Sequence, residues 1–88
     1  MKVEFLAKFN KDLDKIDDKI IRQKILEIIE EIESVEKISG LSKLKKLSGF
    51  KSAYRIRIDD YRLGFFFEND VCELARIVHR KDIYKVFP

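Results

Sequence analysis

The spacing of apolar positions changes twice along this chain, and each change predicts a different element. Lys2–Leu6 (KVEFL) alternates enough for a short strand, read here as an added strand of a later sheet. Phe9, Leu13 and Ile16 then recur at i, i+4 and i+7, the spacing of one helical face. Asp17 and Asp18 interrupt that stripe and suit the cap and first turn of a second helix. From Lys19 onward Ile21, Ile25, Ile28, Ile32 and Val35 form one stripe, widened by Leu26 and Ile29. Lys24, Glu27, Glu30, Glu31 and Glu33 occupy the opposite face. Gly40 is the expected stop. These segments predict a helical hairpin packed on a sheet, with a solvated acidic outer surface. A partner-helix surface is the functional alternative for the same pattern.

From Ala53 the period falls to two. Ala53–Tyr84 reads as a meander of three antiparallel strands joined by two-residue turns at Asp59-Asp60 and Asn69-Asp70. The first turn sets Ile58 opposite Tyr61, Arg57 opposite Arg62, Ile56 opposite Leu63 and Arg55 opposite Gly64. Tyr54, Ile56, Ile58, Tyr61, Leu63, Phe65 and Phe67 then share the face that must lie on the helices. Arg55, Arg57 and Arg62 share the other. Carried through the second turn, the register sets Phe66 opposite Glu73, Gly64 opposite Ala75 and Arg62 opposite Ile77, with His79 on the arginine side. The expected face has a floor of Gly64 and Ala75 and a rim of Arg55, Arg57, Arg62 and His79. Arg76 falls on the helix side, where it needs a carboxylate from the helices unless the turn lengths differ from those assumed. Cys72, opposite Phe67, is a packing residue.

Composition sharpens this picture only in part. The chain has 88 residues, 45% hydrophobic and 40% charged, which suits one small domain over residues 1–88 with a modest core. Residues 1–42 carry 8 Lys/Arg against 10 Asp/Glu, and residues 43–88 carry 11 against 6. The first part therefore reads as scaffold and the second as the part that meets an anionic partner. Between them, in Leu41–Gly49, Leu44 and Leu47 can anchor the chain while Lys43, Lys45 and Lys46 face outward, as a solvated linker or as a grip on phosphate backbone. Like charges opposite one another, as in Arg57 and Arg62, repel. A sheet that accepts this cost is expected to meet an anion.

Several chemistries are excluded. Cys72 is the single cysteine, so neither an internal disulfide nor a thiolate-cluster metal site is available. There is no second histidine beside His79, no Gly-rich phosphate loop and no paired carboxylate near it. No metal or cofactor is expected. No apolar run approaches the roughly 20 residues of a spanning helix, and the charged N-terminus lacks the apolar core of a secretory signal. A cytoplasmic protein without membrane association is the expectation.

The segments LKKLSG, YRIRIDDYRLGF and HRKDIYKVFP, in the order strand, two helices, meander, resemble the RelE/ParE superfamily of toxins from type II toxin–antitoxin modules. The resemblance covers nearly the whole chain. It implies an α+β fold in which an N-terminal strand and a helical hairpin pack on one face of an antiparallel sheet completed by the meander. It implies a cognate antitoxin as partner. The RelE branch cleaves messenger RNA in the ribosomal A site by attack of a ribose 2′-OH on the adjacent phosphate. By position, Arg55 and Arg57 match a basic pair on the first meander strand. Arg62 matches the arginine after the tyrosine that opens the next strand, and Arg80 and Tyr84 match the closing arginine and tyrosine. Lys81, beside Arg80, joins Lys43, Lys45 and Lys46 as a candidate RNA-binding residue.

Guanidinium forks suit a phosphorane, Tyr84 suits base stacking or 2′-OH positioning, and His79 suits proton transfer near neutrality. The chain departs from the RelE pattern at Arg55 and Arg57, where well-studied members carry lysines. An arginine cannot serve as a general base, so proton transfer falls to His79, to Tyr84, or to positioning and electrostatics alone, with groups of the ribosome completing the site. The alternatives are a ParE-like inhibitor of DNA gyrase and a non-catalytic RNA-binding or degenerate toxin domain.

Overall fold

A computed structural model describes residues 1–88. Its five-stranded sheet has the order β1-β5-β4-β3-β2. In chain order the elements are β1 (Lys2–Phe5), α1 (Ala7–Asp14), α2 (Lys19–Ser34), β2 (Leu44–Lys46), β3 (Ala53–Ile58), β4 (Tyr61–Glu68), β5 (Val71–His79) and α3 (Ile83–Val86), with a short 3₁₀ turn at Ile38–Gly40. β1 runs parallel to β5, and the remaining pairs are antiparallel. The added N-terminal strand and the three-stranded meander are both present.

Helix α2 starts where its sequence says it should. The Asp18 carboxylate accepts hydrogen bonds from Ile20 N (2.9 Å) and Ile21 N (3.2 Å), satisfying two first-turn donors. Its buried face consists of Ile21, Ile25, Ile29 and Ile32. Leu26, placed in the stripe by spacing, is 49% exposed. The helix also ends before Gly40, at Ser34, where Val35 turns extended (φ −82°, ψ 149°). The carbonyls of Ile32, Glu33 and Val35 accept from the Met1 ammonium at 3.3, 2.8 and 3.1 Å. That long-range cap replaces the local glycine stop.

One face of the sheet is covered by α1 and α2. Phe9, Ile16 and the α2 isoleucines pack there on Ile56, Ile58, Leu63, Phe65, Cys72, Leu74 and Ile77. The other face is only partly covered. Ala53, Ala75, Ile83 and Phe87 form a small second cluster, in which α3 lies on the sheet. The remainder of that face is open and carries the arginines.

Both turns fall where expected. Asp59 (φ 51°), Asn69 (φ 52°) and Asp70 (φ 61°) take up left-handed conformations that Asn and Asp tolerate better than most residues. The β3–β4 register is the expected one throughout, from Ala53↔Phe66 to Ile58↔Tyr61. The β4–β5 register keeps Phe66↔Glu73 and Phe67↔Cys72, then slips at a β-bulge beside Gly64 and Phe65. β5 carries one extra residue there, so Gly64 faces Arg76 instead of Ala75, and Arg62 faces Val78 instead of Ile77. Everything beyond the bulge changes face. His79 therefore lies opposite Tyr61, not among the arginines.

Candidate RNA-binding cleft

Two rows of side chains cross the open face. Lys45, Arg55 and Gly64 are consecutive partners across β2, β3 and β4, and Arg57 pairs with Arg62 in the next row. Lys43 precedes β2 with φ 59°, a backbone twist at the start of this edge strand. Lys43, Lys45, Arg55, Arg57 and Arg62 together line a cleft of about 300 Å³ that contains no carboxylate. The four ion pairs of the chain join Lys24 to Asp59, Arg76 to Asp12, Arg80 to Asp60 and Lys85 to Asp82. None uses a cation of the cleft. Five cations gathered with no carboxylate among them and none held in an ion pair form a site for a polyanion.

Arg62 is the best-anchored of them. Its Nη1 donates to the carbonyls of Asp59 and Tyr61, both at 2.8 Å, which fixes the guanidinium while Nε and Nη2 remain available. Burial first, and then repulsion from Arg55, Arg57 and Arg80, pull its pKa below the ordinary arginine value. It stays protonated, because an arginine is charged at any working pH. The same repulsion places Arg80 in the field of the cluster. Arg80 is exposed and 3.7 Å from Asp60, a loose pair that a phosphate can displace.

Tyr84 projects from α3, 74% exposed, with the Arg55 guanidinium 4.9 Å from its ring centroid. Hydrogen bonding from Arg55, then its charge, lowers the phenol below the ordinary tyrosine pKa, with smaller contributions from Lys45 and Arg62. The ring is open to stacking on a base, and the phenol is biased towards losing its proton.

Three expected contributors lie elsewhere. His79 sits edge-on to Tyr61 at 5.8 Å, and its Nδ1 accepts from Lys81 N at 3.1 Å. Strand alternation sends Lys46 to the Tyr54 side, where Nζ donates to Phe50 O at 2.6 Å and stands 5.9 Å from the Tyr54 ring. Lys81, in the turn before α3, does not line the cleft, and neither does its neighbour Arg80, which reaches the cluster only through its charge. Arg76, expected on the helix side, faces Gly64 instead; its carboxylate is still one from the helices, Asp12 of α1, which accepts from Nε at 2.7 Å and Nη2 at 3.0 Å. No three His, Cys, Asp or Glu side chains stand together as a metal site.

Two features were missed from the sequence. Phe87 covers Gly64: a Cβ built on that glycine would lie 2.6 Å from Phe87 Cδ2. The signal was a lone glycine inside a strand, which marks close approach of another group. The second is β2, which turns LKK into an edge strand and so carries Lys45 onto the arginine face.

Residues 3–84 match the family described as ParE toxin of type II toxin-antitoxin system, parDE. The chain is 39% identical over 88 residues, covering 100% of both chains, to Toxin RelE3 of Methanocaldococcus jannaschii. It superposes on a chain of the RelB-RelE antitoxin-toxin complex from Methanococcus jannaschii with a TM-score of 0.83 at 35% identity, covering 97% of this chain and 99% of that one. The YoeB dimer from Staphylococcus aureus shares the fold, with a TM-score of 0.70 at 24% identity over 86% of this chain and 92% of that one. The chain belongs to the RelE/ParE superfamily of type II toxins. Within it, the full-length likeness is to a RelE toxin.

Proposed function

We propose that this toxin is an endoribonuclease that cuts messenger RNA on the ribosome, and that the cleft between β2, β3 and β4 is where it holds the scissile phosphate. The observation that carries this reading is the carboxylate-free cation cluster with Tyr84 stacked at its edge. A site that bound RNA without cutting it would require only the cations. Here Tyr84 adds to the cations a phenol with a proton to exchange, and its pKa is lowered by Arg55.

In this reading the ribose 2′-OH attacks the adjacent phosphorus, and the bond to the 5′-oxygen of the next nucleotide breaks. The products are a 2′,3′-cyclic phosphate and a free 5′-OH. Arg62, anchored by two carbonyls, meets the developing phosphorane charge with its free nitrogens, and Arg55 and Arg57 bind the flanking phosphates. Tyr84, as the phenolate, takes the 2′-OH proton and its phenol returns a proton to the departing 5′-oxygen, or else it orders the ribose by stacking on its base while water exchanges both protons. His79, on the other face, takes no part in this proton transfer. Such a site accelerates chiefly by alignment and charge, and groups of the ribosome supply what it lacks. The cognate antitoxin silences the toxin by covering the same basic face, and both act in the cytoplasm.

The match to the ParE family gives a second reading, in which the same face binds DNA gyrase and cuts nothing. Expression of the toxin followed by mapping of RNA ends separates the two. Breaks within translated mRNA, absent from Arg62→Ala and Arg80→Ala, support the nuclease. Intact mRNA together with inhibited supercoiling by purified protein supports the gyrase reading.

A further inference from the structure

Tyr84 is three-quarters exposed, so apart from its contact with Arg55 little besides the backbone of α3 determines where its ring stands. That helix has only four residues, Ile83–Val86, and no side chain caps its start. A helix so short does not hold itself together in water. What holds it is the sheet beneath. Ile83 (2% exposed) and Phe87 (6% exposed) are four residues apart, on one side of the turn, and both enter the small cluster with Ala53 and Ala75. The Phe87 ring lies on Gly64, so close that any Cβ there would collide with it, and it also packs on Phe66 with ring centroids 5.1 Å apart. Gly64 is the direct strand partner of Arg55. The seat of Phe87 and the guanidinium beneath Tyr84 are therefore adjacent positions in one row of the sheet.

We propose that Phe87, seated on the bare backbone of Gly64, is a positioning residue that holds Tyr84 against Arg55. The pair acts through α3 and touches no RNA. The role assigned to the positioned tyrosine rests on the nuclease reading above, whereas the positioning itself does not. Gly64 lies in the middle of β4, where a glycine weakens a strand, and the close seat of Phe87 gives it a use there. Removing the ring, or adding a methyl group beneath it, frees α3 from the sheet and lets Tyr84 leave Arg55 while the meander and its arginines stay in place.

The test uses the full-length protein and two readouts. Tyrosine ionisation is followed by ultraviolet absorbance against pH, and subtraction of the Tyr84→Phe titration isolates the Tyr84 step from those of Tyr54 and Tyr61. In Phe87→Ala and in Gly64→Ala the Tyr84 step moves up towards the ordinary tyrosine value. RNA cleavage falls roughly 10- to 100-fold, the scale of a misplaced catalytic group. Adding Tyr84→Phe to Phe87→Ala then lowers it little further. Phe87→Ala decides the matter if Gly64→Ala does not fold, because Phe87 lies outside the strands and the main core. An unchanged Tyr84 step in folded Phe87→Ala overturns the positioning role, whatever happens to cleavage. If the wild-type protein cuts no RNA but the step still moves, the positioning role stands and the nuclease reading falls.

Discussion

Arg57 and Arg62 face each other across β3 and β4 with no carboxylate between them, and the strain this creates can be measured. Directly opposed like charges destabilise a sheet, so Arg57→Gln is expected to raise unfolding stability by about 0.5 kcal/mol. The same change should weaken binding of single-stranded RNA and flatten its salt dependence by roughly one counter-ion contact. Urea denaturation and a salt-titrated binding assay read the two effects, and opposite signs for stability and binding mark a residue kept for its ligand. Tyr84 gives a second residue-scale prediction. Its folded-state pKa lies below its unfolded value of about 10. The associated stabilisation is complete only above the unfolded value and is lost as pH falls through the folded one, so it adds nothing at neutrality. Activity behaves differently. If the phenolate accepts the 2′-OH proton, cleavage rises with pH and levels off above the lowered Tyr84 pKa, and Tyr84→Phe lacks that limb. Arg55, Arg57 and Arg62 were legible in the sequence because strand alternation and a two-residue turn fix their register completely. His79 was not, because one unpaired residue in β5 reverses its face, and nothing in the local pattern of β5 marks the bulge.

At the scale of elements, the bulge has its own fastening. Asp12 of α1 accepts from Arg76 Nε and Nη2 and from the backbone N–H of Ile77 (3.1 Å), so one carboxylate pins the first helix to the irregular stretch of β5. Asp12→Ala leaves a partly buried guanidinium and a buried N–H without their acceptor. The expected loss is about 3 kcal/mol, at the low end for buried pairs because Arg76 is 20% exposed. Chemical denaturation checks it, and a loss within experimental error would mean that water replaces the carboxylate. The sequence showed that Arg76 wanted such a partner without showing which one, since the two residues are 64 positions apart. The helices, the Asp18 cap and both turns were readable for the opposite reason, each being decided within a few neighbouring residues. The true end of α2 depends on Met1, and α3 depends on Gly64, so both are settled by tertiary contacts that no window along the chain contains.

The whole molecule divides its labour by face. Helices and sheet share a core of 14 buried residues on one side, which leaves the other side free to concentrate charge. That division appeared in the sequence as a basic second half. Its concentration into one cleft did not, because Lys45 comes from the β2 edge and Tyr84 from the far end of the chain. No helix is long and apolar enough to cross a membrane. The central claim is that the cleft cuts messenger RNA, and mapping of RNA 5′ ends after a short pulse of expression tests it most directly. Wild-type toxin is expected to produce new 5′ ends inside translated reading frames, at a fixed position relative to the codon. Arg62→Ala, shown to be folded by its denaturation curve, is expected to produce none. Equal RNA breaks from the wild type and Arg62→Ala, or growth arrest with mRNA intact and DNA broken, would contradict it.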